Sequence, residues 1–219
     1  MTPPYADTTD TRRAIIDACL KLTAEGINQG TSGNVSVRAG EAILITPSGV
    51  PYEDMTPDML QPVPLAGDPA GTGPLKPSTE WRFHQALYNA KPAMHAVVHA
   101  HPIHCTALAQ NRMTIPAVHY MVAAFGGHDV PLAGYALFGG ADLARNVTAA
   151  MTDRHACLMA NHGATVVGET LPKALWRMGE LEALAQTYIL SLSIGTTHLL
   201  DRLQIEEALA AFADYGHPD

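Results

Sequence analysis

His99-Ala100-His101 sets two imidazoles two residues apart. On an extended strand such a pair projects from one face, so both rings can reach a single ion. An isolated HxH is more often a pair of partly buried histidines, but two further residues shift the balance. His162 sits in Asn161-His162-Gly163, a tight turn between two apolar runs, where a side chain is readily presented at a sheet end. Glu80 follows Ser78-Thr79 early in an expected helix. Three imidazoles and a carboxylate form a donor set suited to zinc, with one ligand available for displacement by substrate. His104 extends the pattern to HxHxxH, but three positions on it faces elsewhere once the strand has ended. His104, His95 and His84 therefore read as structural.

A second group of residues suits an anion. Thr31-Ser32-Gly33-Asn34 and Thr46-Pro47-Ser48-Gly49 are small-residue turns. Ser78 and Thr79 lie at a helix start, where free N–H groups and the helix dipole favour negative charge. Taken singly, each of these is more often an ordinary turn or cap. GxxxxGK[ST] and a strand-GxGxxG-helix unit are both absent, which argues against nucleotide binding. GxSxG and HExxH are absent too, which lowers the standing of serine hydrolase and common metalloprotease chemistry. The residues themselves point to a His/Glu metal site beside hydroxyl-rich turns suited to a phosphate.

The chain that must position them has 219 residues, of which 47% are hydrophobic and 16% charged, so it carries ample material for one core. Thirteen Lys and Arg stand against 21 Asp and Glu, a net charge of −8. With no basic cluster, nucleic acid and anionic membranes are poor partners. Cys19, Cys105 and Cys157 are scattered and form no CxxC, so neither a disulfide framework nor a cysteine zinc knuckle is expected. No signal-like or membrane-spanning apolar run occurs, and a cytoplasmic protein is expected.

Thr9 or Asp10 is expected to cap a first helix that ends near Gly26. Strands follow at Val35–Val37 and Ala42–Ile45, turned at Gly40. The Pro/Gly-rich stretch from Val63 to Pro77 reads as a surface excursion. Ser78 is expected to open a helix, Ala96–His99 to form a strand, and Cys105–Gln110 a helix. Two strands, Cys157–Ala160 and Ala164–Val167, flank the His162 turn. A long helix runs from about Pro172 to Ile194, and a last one from Leu203 to Ala213. No repeat interrupts residues 1–219, which read as one α/β domain.

Several ordered segments together resemble the class II aldolase/adducin family. They are residues 28–38, 45–52, 78–84, 96–101, 115–121, 161–163 and 173–176, spread over roughly positions 10 to 216. The resemblance implies a three-layer domain with a central, mainly antiparallel sheet flanked by helices. It implies zinc on His99, His101 and His162, with Glu80 as a fourth ligand that leaves when substrate arrives. Co2+ or Mn2+ could occupy such a set with similar geometry. Phosphate would lie on Thr31, Asn34, Ser48, Gly49, Ser78 and Thr79. A C4 homotetramer is implied, with the site at the subunit interface and Tyr120 entering from the neighbouring chain. Phe138 would line the aldehyde side, and Tyr215 would close over substrate from a mobile tail.

The implied chemistry is reversible cleavage of a ketose 1-phosphate of the L-fuculose 1-phosphate type. It would yield dihydroxyacetone phosphate and an aldehyde such as L-lactaldehyde, through an enediolate whose charge a Lewis-acid metal stabilises. Glu80 would move the C3 proton, and Tyr120 would serve the C4 oxygen. The four lysines, Lys21, Lys76, Lys91 and Lys173, lie outside the hydroxyl and histidine motifs, in keeping with chemistry that needs no Schiff base. Ser48 and Thr79 exchange Ser and Thr relative to the family pattern but keep the hydroxyl. The segments 64–75 and 125–128 depart from it more, which leaves the aldehyde open. The alternatives are an aldolase for 5-deoxyribulose 1-phosphate or 5-methylthioribulose 1-phosphate, a methylthioribulose 1-phosphate dehydratase, or a pentulose-phosphate 4-epimerase. The epimerase is disfavoured because 115–124 contains no Asp. A non-catalytic adducin-like binding module is disfavoured by the complete donor set.

Overall fold

The alternation of Val35 and Val37 with Asn34 and Ser36 becomes strand β1 (Asn34–Ala39). Gly40, at a φ of 63°, turns the chain back into the antiparallel β2 (Ala42–Ile45). The architecture comes from a computed structural model that describes residues 4–70 and 75–214. β3 (Gln61–Pro64), β4 (Ala96–Ala100), β5 (Leu132–Ala133), β6 (Ala156–Met159) and β7 (Gly163–Gly168) complete one seven-stranded sheet. Its order is β3-β2-β1-β4-β7-β6-β5, and β5–β6 is the parallel pairing in an otherwise antiparallel array.

The period-two pattern of the strands builds a core on each face. Val35, Val37, Val98 and Val166 pack against α1 (Thr9–Ala24), α3 (Ile103–Gln110) and α5 (Leu171–Ile194). Ile43, Ile45, Val97 and Val167 pack against α2 (Trp81–Ala90) and α4 (Ala141–Ala150). This is the expected three-layer arrangement. A sixth helix, α6 (Arg202–Asp214), places Ile205 against Ala117 and Ala123 beside a 3₁₀ helix at Tyr120–Phe125. Among the described residues no helix is long and apolar enough to cross a membrane.

The expected elements differ from the observed ones in ways with local causes. The Thr8 hydroxyl, rather than Thr9 or Asp10, caps α1 by accepting from the Thr11 N–H. The excursion expected from Val63 begins later, because Val63 and Pro64 belong to β3, with the Val63 side chain fully buried. Prolines are tolerated there because β3 is an edge strand with one partner, β2. Helix α2 starts at Trp81, not Ser78, and Glu80 occupies its N-cap position. Ser78 and Thr79 instead form a turn, closed by the Trp81 N–H donating to the Ser78 carbonyl at 3.1 Å. Helix α4 has no counterpart among the expected elements. All three cysteines are buried and free.

Candidate active site

His99 lies in the fully buried part of β4, and its ring is held from behind. Its Nδ1 is 2.9 Å from the Ala164 carbonyl on β7. A carbonyl only accepts, so Nδ1 carries a hydrogen and Nε2 is the nitrogen turned toward the other rings. His101, two residues on, brings its Nε2 to within 3.1 Å of His99 Nε2. His162 enters from the turn between β6 and β7. That turn is closed by the His162 N–H donating to the Met159 carbonyl at 3.0 Å, with Asn161 left-handed at φ 53°. The three rings lie 4.8–5.0 Å apart, centroid to centroid.

Glu80 closes the remaining side. Its Oε2 stands 3.2 Å from His99 Nε2 and its Oε1 3.3 Å from His162 Nε2. Burial alone would raise this carboxyl, but the facing His99 and His162 imidazoles and the Asn34 amide outweigh it and hold the group well below the usual carboxylate range. Burial, aided by His99 and His162, pushes the His101 imidazole down to about 4, and burial with His99 brings His162 down to about 4. With His99 Nε2 only 3.1 Å from His101 Nε2 and His162 beside them, the ring nitrogens converge on one point. Glu80 Oε1, buried and without a hydrogen-bond donor, adds a further acceptor. A divalent cation satisfies all of them, and the residues present therefore fit one.

Beside this cluster opens a cavity of about 330 Å³. Thr31, Asn34, Ser48, Gly49, Ser78 and Thr79 all line it, together with Glu80, His101 and His162. Two loops are stitched together to form its floor. The Ser48 N–H donates to the Lys76 carbonyl at 3.0 Å, and the Ser78 N–H to the Thr46 carbonyl at 2.9 Å. Those two N–H groups are thereby committed, and the Ser78 hydroxyl accepts from the Glu80 N–H at 3.4 Å. Among the described residues neither Lys nor Arg lines the cavity, so hydroxyls, backbone amides and a cation would have to offset a bound anion's charge. Asn34 borders the cavity, but its side chain is engaged with Glu80 and His84.

Other residues hold this arrangement without having been singled out for it. The Asn28 amide oxygen accepts from the His101 N–H at 3.3 Å, while its NH₂ donates to Tyr52 Oη at 2.9 Å and to the Ser32 carbonyl. Tyr52 Oη donates to that same carbonyl at 2.7 Å. Asn28 therefore ties the anion loop to the metal strand. Both residues fall inside the segments that carry the family resemblance, which was the available signal. Tyr135, Ala136 and Asn161 also line the cavity.

Phe138 lies at the mouth of the cavity, 60% exposed. Tyr120 is not brought to the cavity within its own chain. It is 54% exposed and stacks on Phe212 at 6.4 Å, beside a separate groove that also includes Trp176 and Glu180. Tyr215 lies outside the described residues. His104 is engaged by Glu182, which accepts from its backbone N–H at 3.0 Å and lies 2.8 Å from its Nδ1.

Converging imidazoles and a buried carboxylate that could hold a metal ion adjoin a cavity lined by hydroxyl-bearing residues. The Class II Aldolase and Adducin N-terminal domain matches residues 13–189, and the chain belongs to that family. It is 44% identical to the L-fuculose phosphate aldolase of Escherichia coli (strain K12) over 205 residues, covering 93% of this chain and 94% of the relative. It is 43% identical to the 5-methylthioribulose-1-phosphate/5-deoxyribulose-1-phosphate aldolase of Rhodospirillum rubrum, covering 94% and 92%. A solved L-fuculose 1-phosphate aldolase superposes with a TM-score of 0.90 at 32% identity, covering 94% of this chain and 97% of that one.

Proposed function

We propose that this chain is a metal-dependent aldolase that cleaves L-fuculose 1-phosphate to dihydroxyacetone phosphate and L-lactaldehyde. The observation that carries the reading is the junction of the His99/His101/His162/Glu80 cluster with a cavity lined by Thr31, Ser48, Ser78 and Thr79 and, among the described residues, by no lysine. An aldolase without a Schiff-base lysine needs another electron sink. A divalent cation, Zn2+ by the chemistry of the donors, would be held by His99, His101 and His162 and would supply Lewis-acid stabilisation of the negative charge that develops on cleavage.

The chain's own residues supply the remaining steps. Thr31, Ser48, Gly49, Ser78 and Thr79 bind and orient the 1-phosphate, while Asn34, expected beside them, has its side chain engaged with Glu80 and His84. Tyr120, from a neighbouring copy in a C4 tetramer, takes the proton from the C4 hydroxyl as the C3–C4 bond breaks and the aldehyde forms. The electron pair left on C3 is conjugated with the C2 carbonyl, and Glu80, after taking up a proton from solvent, delivers it to C3 to complete dihydroxyacetone phosphate, while the proton held by Tyr120 returns to solvent. Phe138 shapes the aldehyde end, and Tyr215 closes the site over substrate. A non-catalytic binding role would give the complete donor set no task.

A second reading, cleavage of 5-deoxyribulose 1-phosphate or 5-methylthioribulose 1-phosphate, is supported by the nearly equal likeness to the Rhodospirillum rubrum enzyme. These substrates share the phosphate and enolisable half and differ at the aldehyde. A coupled assay for dihydroxyacetone phosphate, with L-fuculose 1-phosphate and 5-deoxyribulose 1-phosphate run side by side with and without chelator, tests both. Chelator-sensitive release with the higher kcat/KM on L-fuculose 1-phosphate is expected. A reversed ratio selects the second reading, and no release from either rejects the aldolase assignment.

A further inference from the structure

From Glu80 an unbroken line of buried hydrogen bonds runs through Asn34, at the cavity wall, to residues that do not line the cavity. Glu80 Oε2 lies 3.0 Å from Asn34 Nδ2, and Asn34 Oδ1 meets Nε2 of His84. His84 Nδ1 lies 2.7 Å from Ser36 Oγ, and Tyr88 Oη lies 3.0 Å from that same oxygen and 2.9 Å from the Ser36 carbonyl. His84 is completely buried, as are Ser36 and Tyr88.

The direction of every hydrogen in this line follows from its two ends. A carboxylate oxygen only accepts, so Asn34 must turn its NH₂ to Glu80 and its carbonyl to His84. His84 must then carry its hydrogen on Nε2. Burial pushes this imidazole down to about 3, so the ring is neutral and its Nδ1 is bare. Ser36 fills that lone pair with its hydroxyl hydrogen. At the far end the Ser36 carbonyl takes the Tyr88 O–H, leaving the serine hydrogen for His84. The other tautomer would reverse the line. A bare Nε2 would call for the Asn34 NH₂ and swing its carbonyl oxygen against the Glu80 carboxylate, two acceptors about 3 Å apart.

We propose that Ser36, His84 and Asn34 are positioning residues that hold Glu80 by Oε2 through a single tautomer of His84, leaving Oε1 as the oxygen that carries the C3 proton. This rests on the role given to Glu80 above. Oε1 is the atom without a hydrogen-bond donor, and Oε2 is the atom that the line secures. His84 therefore acts on the reaction without touching substrate, and the proton taken from C3 passes to Oε1 and returns from it.

The test uses dihydroxyacetone phosphate alone in D₂O, so that uptake of deuterium at C3 reports the Glu80 step whatever the aldehyde. His84→Leu, which removes the donor, is expected to slow exchange by about tenfold or more, with KM for dihydroxyacetone phosphate within about twofold and metal content unchanged. His84→Gln, whose amide nitrogen can reach the Nε2 position, is expected to restore exchange to within about threefold of wild type. Equal losses in both variants, or a change confined to KM, overturn the proposal. Independently of any turnover, ¹⁵N-histidine NMR of the metal-loaded wild-type protein is expected to show His84 as the Nε2–H tautomer, and an Nδ1–H signal overturns it. If His84→Leu does not fold, Ser36→Ala serves instead. It frees Nδ1 and is expected to slow exchange and bring in the second tautomer, and wild-type exchange in that variant counts against the proposal. Absence of exchange in wild type rejects the aldolase reading, while the NMR result still decides the tautomer.

Discussion

The Nε2 atoms of His99 and His101 face one another at 3.1 Å, with their rings inclined at 71°. Strand geometry puts both on one face, but the close approach depends on β7. The Ala164 carbonyl there claims His99 Nδ1 and so directs the opposite nitrogen forward. A cation between them and His162 would be held by the facing nitrogens.

Removing one of the three rings leaves an incomplete set. His101→Ala is expected to lose bound metal and to lower cleavage by at least about a hundredfold. Metal analysis of the purified variant beside a dihydroxyacetone phosphate assay checks this. Full metal occupancy would remove His101 from the ligand set.

Glu80 and Tyr120 are expected to act in one site from two chains, because Tyr120 stands away from the cavity of its own chain. Glu80→Gln should keep metal on the three histidines and lose about a hundredfold or more in rate, and Tyr120→Phe should also be impaired. Mixed oligomers refolded from equal amounts of the two variants should regain roughly a quarter of wild-type activity, the chance that intact halves meet at random. No recovery on mixing would place Tyr120 outside the shared site.

Gly33 is needed for its conformation and for its lack of a side chain. Its φ is +80°, and an added Cβ would stand 2.6 Å from both the His99 carbonyl and Asn28 Nδ2. Gly67 has nearly the same φ, +81°, with nothing within 4 Å, and so serves as a control. Gly33→Ala is expected to cost about 2–4 kcal/mol, a fall in Tm of about 5–15 °C, and Gly67→Ala only the backbone share of that. Thermal unfolding of both variants measures the difference, and equal losses would show that the contact with β4 carries no weight.

Buried histidines give the metal-free protein a defined acid limit. Burial pushes His84 down to about 3, and His155 down to about 4 with the help of Arg177. In the unfolded chain both titrate near the ordinary value of about 6.5. The folded pKa values are depressed, so the stability these groups contribute is complete above about 6.5 and is lost as pH falls toward 4 and then 3. Denaturant midpoints of chelated protein should be flat near neutrality and decline below about pH 6.5. The decline should be shallower in His155→Gln, and an unchanged slope would show that His155 titrates normally in the fold.

Much of the site could be read from residue types and spacing. His99 and His101 share a face because strands have a period of two, and His162 follows from a turn between two apolar runs. The hydroxyl turns at 31–34, 46–49 and 78–79 were legible as candidate anion loops, although nothing local shows that they meet. Their meeting depends on the bridge between Pro47 and Pro77 and on hydrogen bonds across the two loops. His84 read as structural because its partners, Ser36 and Asn34, lie about fifty residues away on β1. Ser78 and Thr79 look like helix caps in sequence, but the Ser78 N–H is drawn off to Thr46 and the turn closed by the Ser78 carbonyl delays α2 to Trp81.

By itself, the amino-acid sequence determined the chemistry on offer: imidazoles and a carboxylate for a metal, hydroxyls for an anion, and no lysine among them. It also determined the strands and helices whose apolar periods divide one face from the other. The tertiary structure decided which of these groups meet. It alone separates Tyr120 from the cavity of its own chain and engages the Asn34 side chain with Glu80 and His84. Those relationships depend on packing and hydrogen bonds between elements distant along the chain, for which local spacing carries no signal.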